Sequence, residues 1–307
     1  MMKLNDGGLR GRLFWKGALA KWGVLPCRMA FIVSMGMAVI PGTVARGEDA
    51  SGDGFFSPRF LVQMFRDAAE EGNVLGHVGL AMCYFSGKGV PQDYSKAFFW
   101  ATQGAKGGNE YAQFLLGCLY YDGEGVKKDI RKAYQWFSLA AGQGHAASRY
   151  WLGLMHERGE GTRQDDKEAF KWYSLSASGG YADAEDMVGC FYDQGRVVER
   201  DEKKAWKWFE RAAEKGNTDA CFHLGKLYGR QEKMKECCEW MSRAAEQGHA
   251  EAQFLVGWMY MGGVGTETDA RKACFWWVRS ARQGNQEAID MLKKMGKEEL
   301  MKDPFFK

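Results

Sequence analysis

The chain has 307 residues, of which 46% are hydrophobic and 26% are charged, so it is long enough and apolar enough to bury an extended core. Its five prolines are too few for a proline-rich or disordered protein. The formal net charge is +3, but residues 1–45 alone carry +5, which leaves −2 on residues 46–307. This balance gives no argument for nucleic-acid binding.

Residues 1–45 predict a secretory signal peptide with a long basic N-terminal region. The apolar stretch at residues 29–40 is followed by a helix-breaking Pro41-Gly42 pair and by short side chains at residues 43–45, where a signal peptidase would cleave. Two alternatives stay open: a start codon placed upstream of a shorter signal, and an uncleaved inner-membrane anchor at residues 29–40. The anchor is disfavoured because a bilayer span needs about 20 apolar residues. Cys27 precedes the apolar stretch, which argues against a lipoprotein site.

A sequence repeat dominates the remainder of the chain. Residues 46–58 form a short polar linker, residues 59–296 show helical periodicity, and residues 297–307 form a polar tail. The repeat length is 36 residues, except for one step of 32 residues from Trp208 to Trp240. We expect a half repeat, full repeats and a terminal helix, or about fourteen helices in antiparallel pairs. The tryptophans at the shared register position are Trp100, Trp136, Trp172, Trp208, Trp240 and Trp276, and the full repeats cover 73–108, 109–144, 145–180, 181–216, 217–248 and 249–284.

The repeat at 109–144 shows why each unit is predicted to fold as a helical hairpin. Gly117 has no side chain and would let the two helices approach closely, while Gly123 and Gly125 permit the positive φ angles of the turn. Asp129 can cap the second helix. On that helix, Trp136 is expected to fill the space between the helices. The first helix is predicted to present one apolar side, formed by Ala112, Leu116, Leu119 and Tyr120.

This pattern of an Ala-x-x-x-Leu-Gly helix, a Gly-x-Gly-Val turn and a Lys-Ala-x-x-Trp helix resembles the Sel1-like repeat, a relative of the tetratricopeptide repeat. The resemblance covers nearly all of residues 60–296. It implies an all-α fold, a right-handed superhelical α-solenoid of antiparallel helix pairs. It also implies a non-catalytic scaffold that assembles protein complexes, and for exported bacterial members a place in the periplasm or outside the cell. Two turns depart from the pattern: Val197 replaces a turn glycine, and residues 228–233 lack the Gly-x-Gly-Val motif.

By analogy with tetratricopeptide proteins, the first helices are expected to line a concave groove. The third, sixth, tenth and thirteenth positions of each repeat would share one helical stripe. This stripe is aromatic at both ends and acidic in the middle, which suits a protein or peptide that carries basic residues between apolar anchors. The alternatives are core packing for the aromatic residues and an ordinary solvated face for the acids. The predicted partner-binding residues are Tyr111, Phe114, Tyr121, Tyr150, Glu157, Asp183, Asp186, Asp193, Phe222 and Trp258.

No catalytic, cofactor-binding or metal-binding residue is predicted from the spacing of reactive side chains. The Gly-x-Gly motifs at 87–89 and 123–125 mimic phosphate loops, but they lack a Gly-Lys-Ser/Thr signature and are interpreted as repeat turns. None of the five histidines, including the isolated His77 and His223, has a ligand partner by spacing. There is also no C-x-x-C motif and no Ser/His/Asp set. A hard cation site is a weak hypothesis for the acidic set Asp183, Asp186 and Asp193.

Seven of the eight cysteines follow the predicted signal peptide. We expect them to be reduced and to pack as small hydrophobic side chains, with a bridge among Cys237, Cys238 and Cys274 left open. A cysteine-rich subgroup of the Sel1-like proteins pairs a cysteine near the end of a second helix with one in the next first helix. This chain lacks that framework, since the first position is occupied by Ala141, Ala177 and Ala213. That subgroup nevertheless suggests an alternative function, a peptidoglycan-related binding protein or a weak β-lactam hydrolase.

Overall fold

The computed structural model describes residues 57–297, so the predicted signal peptide or anchor lies outside the described residues, as do residues 46–56 and 298–307. Within residues 57–297 the fold consists of fourteen α-helices without a strand. The prediction of an all-α repeat fold is confirmed. Over the same residues, no helix has both the length and the apolar character that a membrane span requires.

The helices of successive repeats follow one another as first helix, turn and second helix. The described residues divide after Trp136 into two compact units, and α5 contributes residues to both. The helices are α1 (Pro58–Glu70), α2 (Val74–Ser86), α3 (Tyr94–Lys106), α4 (Glu110–Asp122), α5 (Ile130–Gly142), α6 (Ala146–Arg158), α7 (Asp166–Ser178), α8 (Ala182–Gln194), α9 (Glu202–Glu214), α10 (Thr218–Arg230), α11 (Met234–Glu246), α12 (Ala250–Gly262), α13 (Ala270–Arg282) and α14 (Gln286–Lys294).

Side-chain caps and left-handed glycines explain where these helices begin and end. The carboxylate of Asp129 accepts the backbone N–H of Lys132 at 3.0 Å, so the predicted cap of α5 is confirmed. Gly123 ends α4 with φ 78°, and Gly125 has φ 68°, as expected of turn glycines. The same capping interaction recurs in both units, with accepting side chains from Asn73, Asp93, Asn109, Asp165, Asp201, Asn217, Asp269 and Asn285.

In four hairpins of the second unit, the side chain packed against the first-helix glycine is the one after the repeat tryptophan, namely Tyr173, Phe209, Met241 and Trp277. Phe209 is 1% exposed, and a Cβ atom placed on Gly189 of α8 would lie 2.6 Å from its ring. Trp277 is also 1% exposed and lies against Gly257 of α12. The prediction for Trp136 was wrong, because this side chain is half-buried at the edge of the first unit's core. Each residue turns a helix by about 100°, so the neighbour of the tryptophan faces the first helix.

The second turn glycines Gly125 and Gly265 lie where consecutive repeats approach each other. In the first unit, a Cβ atom on Gly125 would overlap the backbone carbonyl of Tyr94, the first residue of α3. In the second unit, a Cβ atom on Gly265 would overlap the carbonyl of Met234, the first residue of α11. The turn of one repeat therefore packs its backbone on the start of the preceding second helix.

The fourth turn makes this contact with a side chain. Val197 occupies the position of the second turn glycine and keeps a positive φ of 66°. Beside it, the guanidinium of Arg196 lies 2.9 Å from Asp166, the first residue of α7. An ion pair thus links the fourth turn to the start of the preceding second helix.

Replacing Val197 by glycine is expected to raise the free energy of unfolding by about 1 kcal/mol. A β-branched residue at positive φ is strained by roughly 1–2 kcal/mol, and the greater freedom of glycine in the unfolded chain offsets part of this gain. Urea unfolding followed by circular dichroism measures the difference. Val198→Gly is the matched control and should be destabilising, because no residue besides Val197 and Glu232 among the described non-glycine residues has a positive φ. A loss of stability in Val197→Gly would contradict the inference that the backbone of Val197 is strained.

Candidate interaction surface

In the first unit, the predicted partner-binding residues form an aromatic stripe along α4. Tyr111, Phe114 and Tyr121 are all half-buried. Tyr111 packs against the core of this unit, and the ammonium group of Lys128 lies 5.6 Å from the centre of the Tyr121 ring. At the intervening stripe position, Cys118 is buried and its thiol donates to the carbonyl of Phe114 at 3.0 Å. The rings of this stripe are therefore partly exposed, and binding of a partner to them stays a prediction.

In the second unit, each of the predicted acidic residues contacts a side chain of the following repeat, and Glu157 also contacts Tyr173 of its own repeat. The hydroxyl of Tyr173 and the guanidinium of Arg196 donate to the two oxygens of Glu157, at 2.8 Å and 2.9 Å. The side-chain amide of Asn217 donates to Asp183 at 2.6 Å. The remaining pairs are Asp186 with His223 and Asp193 with Arg230.

These pairs assign the carboxylates a structural role between neighbouring repeats. Burial opposes ionisation of Asp193, but its bidentate pair with Arg230 holds the pKa of this carboxyl below its ordinary value. Asp219 differs, since its side chain is 67% exposed and lies 3.5 Å from His249. The selection of a basic partner by the acids stays a prediction, and Asp219 is the carboxylate best placed for it.

The histidine that seemed isolated in the sequence has two reactive neighbours in the structure. The Nδ1 atom of His223 in α10 lies 2.8 Å from the carboxylate of Asp186 and 3.7 Å from the sulfur of Cys190, both in α8. Burial lowers the pKa of His223, but the hydrogen bond and charge of Asp186 outweigh this and raise it overall. The description of His223 as isolated was therefore wrong, because residues one repeat apart become neighbours when the first helices pack side by side.

This arrangement also places a thiol beside a base, which the spacing did not predict. A cysteine nucleophile needs a depressed pKa, so that the thiolate is present near neutral pH. Burial instead raises the pKa of Cys190 well above its ordinary value, and the negative charges of Asp186 and Asp193 raise it further. The pair of Cys190 and His223 therefore lacks the electrostatics of an activated nucleophile.

The aromatic residues at the other end of the predicted stripe differ in burial. Phe222 is 4% exposed and stacks on His249 with ring centres 4.3 Å apart, so it belongs to the core. Trp258 on α12 is 45% exposed, although its ring centre lies 5.7 Å from that of buried Trp277. Only part of the sequence-predicted stripe is thus available for contact.

Trp258 forms one wall of an apolar hollow of about 380 Å³ between α11 and α12. Sequence reasoning did not predict the other residues that line the hollow, although the apolar Val264 could have indicated them. Val264 stands between the glycines of its turn and is 42% exposed, whereas four other repeats carry a charged residue at this position. The lining residues are Cys237, Met241, Leu255, Trp258, Met259, Gly262 and Val264.

All seven cysteines of the described residues are free thiols, and each is buried or half-buried. Cys237 and Cys238 both belong to the core cluster at α11, and Cys274 is 4% exposed on α13. Their positions suit small hydrophobic side chains.

Two further histidines are helix caps, a role that sequence reasoning missed. The Nδ1 atom of His145 accepts the backbone N–H of Ser148 at 3.2 Å, and His249 accepts that of Ala252 at 3.1 Å. Accepting a hydrogen bond requires an unprotonated nitrogen. Each imidazole thus takes the place of the asparagine that caps the first helices α2, α4, α10 and α14.

His145 is expected to make the protein acid-sensitive. Burial lowers its pKa from 6.5 to about 4, so its contribution to stability is present above pH 6.5 and is lost as the pH falls towards 4. In His145→Asn, the unfolding free energy should fall less over this interval, by up to about 3 kcal/mol. Urea unfolding at a series of pH values measures the difference between the curves. Parallel curves for the two proteins would contradict the prediction.

Comparison with known proteins identifies the repeat. The family model described as the Sel1 repeat matches residues 75–109, 110–145, 146–181, 182–217, 218–249 and 250–285. Comparison with curated proteins found no match.

Two crystal structures are similar in both sequence and fold. The Sel1 repeat protein from Oxalobacter formigenes is 28% identical with a TM-score of 0.66, and the alignment covers 72% of this chain and 92% of that one. The second is c5321, a protective antigen present in uropathogenic Escherichia coli strains. It is 28% identical with a TM-score of 0.53, and the alignment covers 78% of this chain but 60% of c5321.

Sel1-repeat proteins typically act as protein-interaction scaffolds and are generally non-catalytic. The in-register helical hairpins, the turn glycines and the matched repeats over residues 75–285 lead to one conclusion: this chain belongs to the Sel1-repeat family.

Proposed function

We propose that this protein is a non-catalytic scaffold that binds a protein or peptide partner on the exposed face of its first helices. The observation that carries the proposal is Trp258, which is 45% exposed at the edge of an apolar hollow. Exposed tryptophan is costly in water, whereas tryptophan buried at an interface is among the strongest contributors to binding energy. A surface tryptophan beside an unfilled apolar hollow therefore favours a partner that covers both.

The size and lining of the hollow indicate the chemistry of that partner. A volume of about 380 Å³ lies at the lower end of the range of small-molecule pockets, which is enough for one or two apolar side chains. Exposed Asp219 on α10 adds a negative charge to the first-helix surface of the same unit. The partner that fits is a segment with an apolar anchor, and a basic residue in it would gain from the carboxylate.

We further propose that the protein is exported and acts in the periplasm or outside the cell. Export is supported by the basic N-terminal region, the apolar stretch and the small side chains of residues 1–45. The similarity to c5321, described as a protective antigen, agrees with an exported protein. Fractionation of cells that express the full chain tests this, and retention in the cytoplasm would contradict it.

Affinity capture from the envelope fraction tests the binding surface. We expect the full chain to retain a partner that Trp258→Ser loses. Phe99→Ser is the matched control, because Phe99 is 54% exposed on the second helix α3 and is not one of the residues that line the hollow. A partner lost equally in both variants, or in neither, would contradict docking at Trp258.

The aromatic stripe of the first unit is tested separately. The triple variant Tyr111→Ser, Phe114→Ser and Tyr121→Ser should weaken capture if both units contact the partner, provided that circular dichroism shows unchanged helicity.

Hydrolytic turnover that is abolished by Cys190→Ser would contradict the non-catalytic role. Assaying the full chain and that variant on a chromogenic β-lactam gives this result directly.

A further inference from the structure

Three side chains with different metal-binding atoms converge between α8 and α10. Asp186 and Cys190 lie four residues apart and therefore share one face of α8. His223 reaches them from α10 in the next repeat, with its Nδ1 atom 2.8 Å from Asp186 and 3.7 Å from the Cys190 sulfur. One ligand atom from each residue lies within 4.8 Å of the others. Asp186 is 5% exposed, and the other two residues are half-buried.

The donor types and their separations match those that zinc takes in proteins. Zn²⁺ binds thiolate, imidazole and carboxylate at about 2.0–2.3 Å, so donors at a tetrahedral centre lie about 3.3–3.8 Å apart. The sulfur of Cys190 is 3.7 Å from the Nδ1 atom of His223, which already meets that spacing. The 2.8 Å separation between His223 and Asp186 is a hydrogen bond, and it would open by about half an ångström when a cation replaces the shared proton.

The charges around the cluster favour a cation over a thiolate nucleophile. Asp193, Asp219 and Glu157 lie close enough to act electrostatically on Cys190, in addition to Asp186. Lys226 is the cationic side chain that acts on His223, and it is exposed at the surface of α10. A divalent ion would offset the negative charges and would displace the thiol proton, so that the sulfur binds as thiolate.

We propose that Asp186, Cys190 and His223 form a binding site for a divalent transition-metal ion of the zinc type, which links the first helices of two consecutive repeats. The three protein ligands leave a fourth coordination position for water or for a donor from a partner. Bound metal adds a cross-link between α8 and α10 that stabilises the folded state, because the unfolded chain does not hold these residues together.

The first experiment titrates Co²⁺ into the metal-free, reduced full chain. Cobalt bound by a thiolate gives a charge-transfer band in the near ultraviolet and intense visible bands when tetrahedral. We expect one Co²⁺ ion per chain, displaced by Zn²⁺, together with a higher thermal midpoint in the presence of Zn²⁺. Absence of the charge-transfer band in the wild-type chain would overturn the proposal.

Variants assign the ligands. Changing a residue that only supports a metal ligand typically weakens metal affinity about 10–100-fold. Cys190→Ser and His223→Gln should each weaken Co²⁺ affinity by more than this, and Cys190→Ser should abolish the charge-transfer band. Cys118→Ser is the matched control, because Cys118 occupies the same repeat position on α4 and should bind cobalt like the wild type. A band retained in Cys190→Ser, or lost in Cys118→Ser, would contradict the assignment.

Alkylation of the wild-type chain provides a test that does not depend on the folding of any variant. Iodoacetamide labelling mapped by peptide mass spectrometry should show that Zn²⁺ protects Cys190 and leaves the labelling of the remaining cysteines unchanged. Fast labelling of Cys190 that Zn²⁺ does not slow would instead identify a reactive thiol and would overturn the metal site.

Discussion

Replacing Phe209 by alanine is expected to lower the free energy of unfolding by about 3–5 kcal/mol, the usual cost of removing a fully buried phenylalanine. The ring of Phe209 is 1% exposed and occupies the space that Gly189 leaves open on α8. The centre of the Phe209 ring also lies 4.8 Å from that of the His223 ring, so Phe209 packs against α10 as well. Urea unfolding of the full chain, followed by circular dichroism, measures the loss.

The neighbouring tryptophan supplies the control for this prediction. Trp208 has the larger side chain but is half-buried, with the guanidinium of Arg211 4.6 Å from its ring centre. Because part of its surface contacts solvent and a flexible arginine, Trp208→Ala should cost less than about 3 kcal/mol. If Trp208→Ala proved as destabilising as Phe209→Ala, the assignment of the core position would be wrong.

These two residues show how far the sequence could predict the core. The regular spacing of the tryptophans was sufficient to place the repeats and the helices, because a copied unit must bury the same face each time. It was not sufficient to decide which of two adjacent aromatic residues is buried. Trp208 and Phe209 differ by one residue, about 100° around the helix, and the glycine at position 189 selects between them only once the helices are packed.

The candidate site was harder to predict, because its contacts cross from one repeat to the next. The hydrogen bonds that Asp183, Asp186 and Asp193 accept join residues 34 to 37 positions apart. This separation is close to the repeat length, but the offset between neighbouring first helices decides which side chains meet. The stripe of variable positions was therefore predictable, whereas the pairing of its acids and the cluster of Cys190 and His223 were not.

Replacing Gly125 by alanine is expected to lower the free energy of unfolding by about 3 kcal/mol or more. The residue has φ 68°, where a side chain costs roughly 1–2 kcal/mol. In addition, a Cβ atom would overlap the carbonyl of Tyr94 at the start of α3. Main-chain atoms cannot rotate away as a flexible side chain would, so the two repeats must separate, and overpacking of this kind adds roughly 1–3 kcal/mol. Urea unfolding measures the sum.

Gly108→Ala separates the two contributions. Gly108 has φ 80°, but a Cβ atom there would have nothing within 4 Å, so this variant should show the backbone strain of about 1–2 kcal/mol without the overlap. Val197 shows that a side chain is tolerated at the position of Gly125 in another repeat, where Arg196 bridges to Asp166. If Gly125→Ala lost no more stability than Gly108→Ala, the backbone contact between turn and helix would not hold consecutive repeats together. A larger loss at Gly125 would mean that the turn glycines act between repeats as well as within the turn.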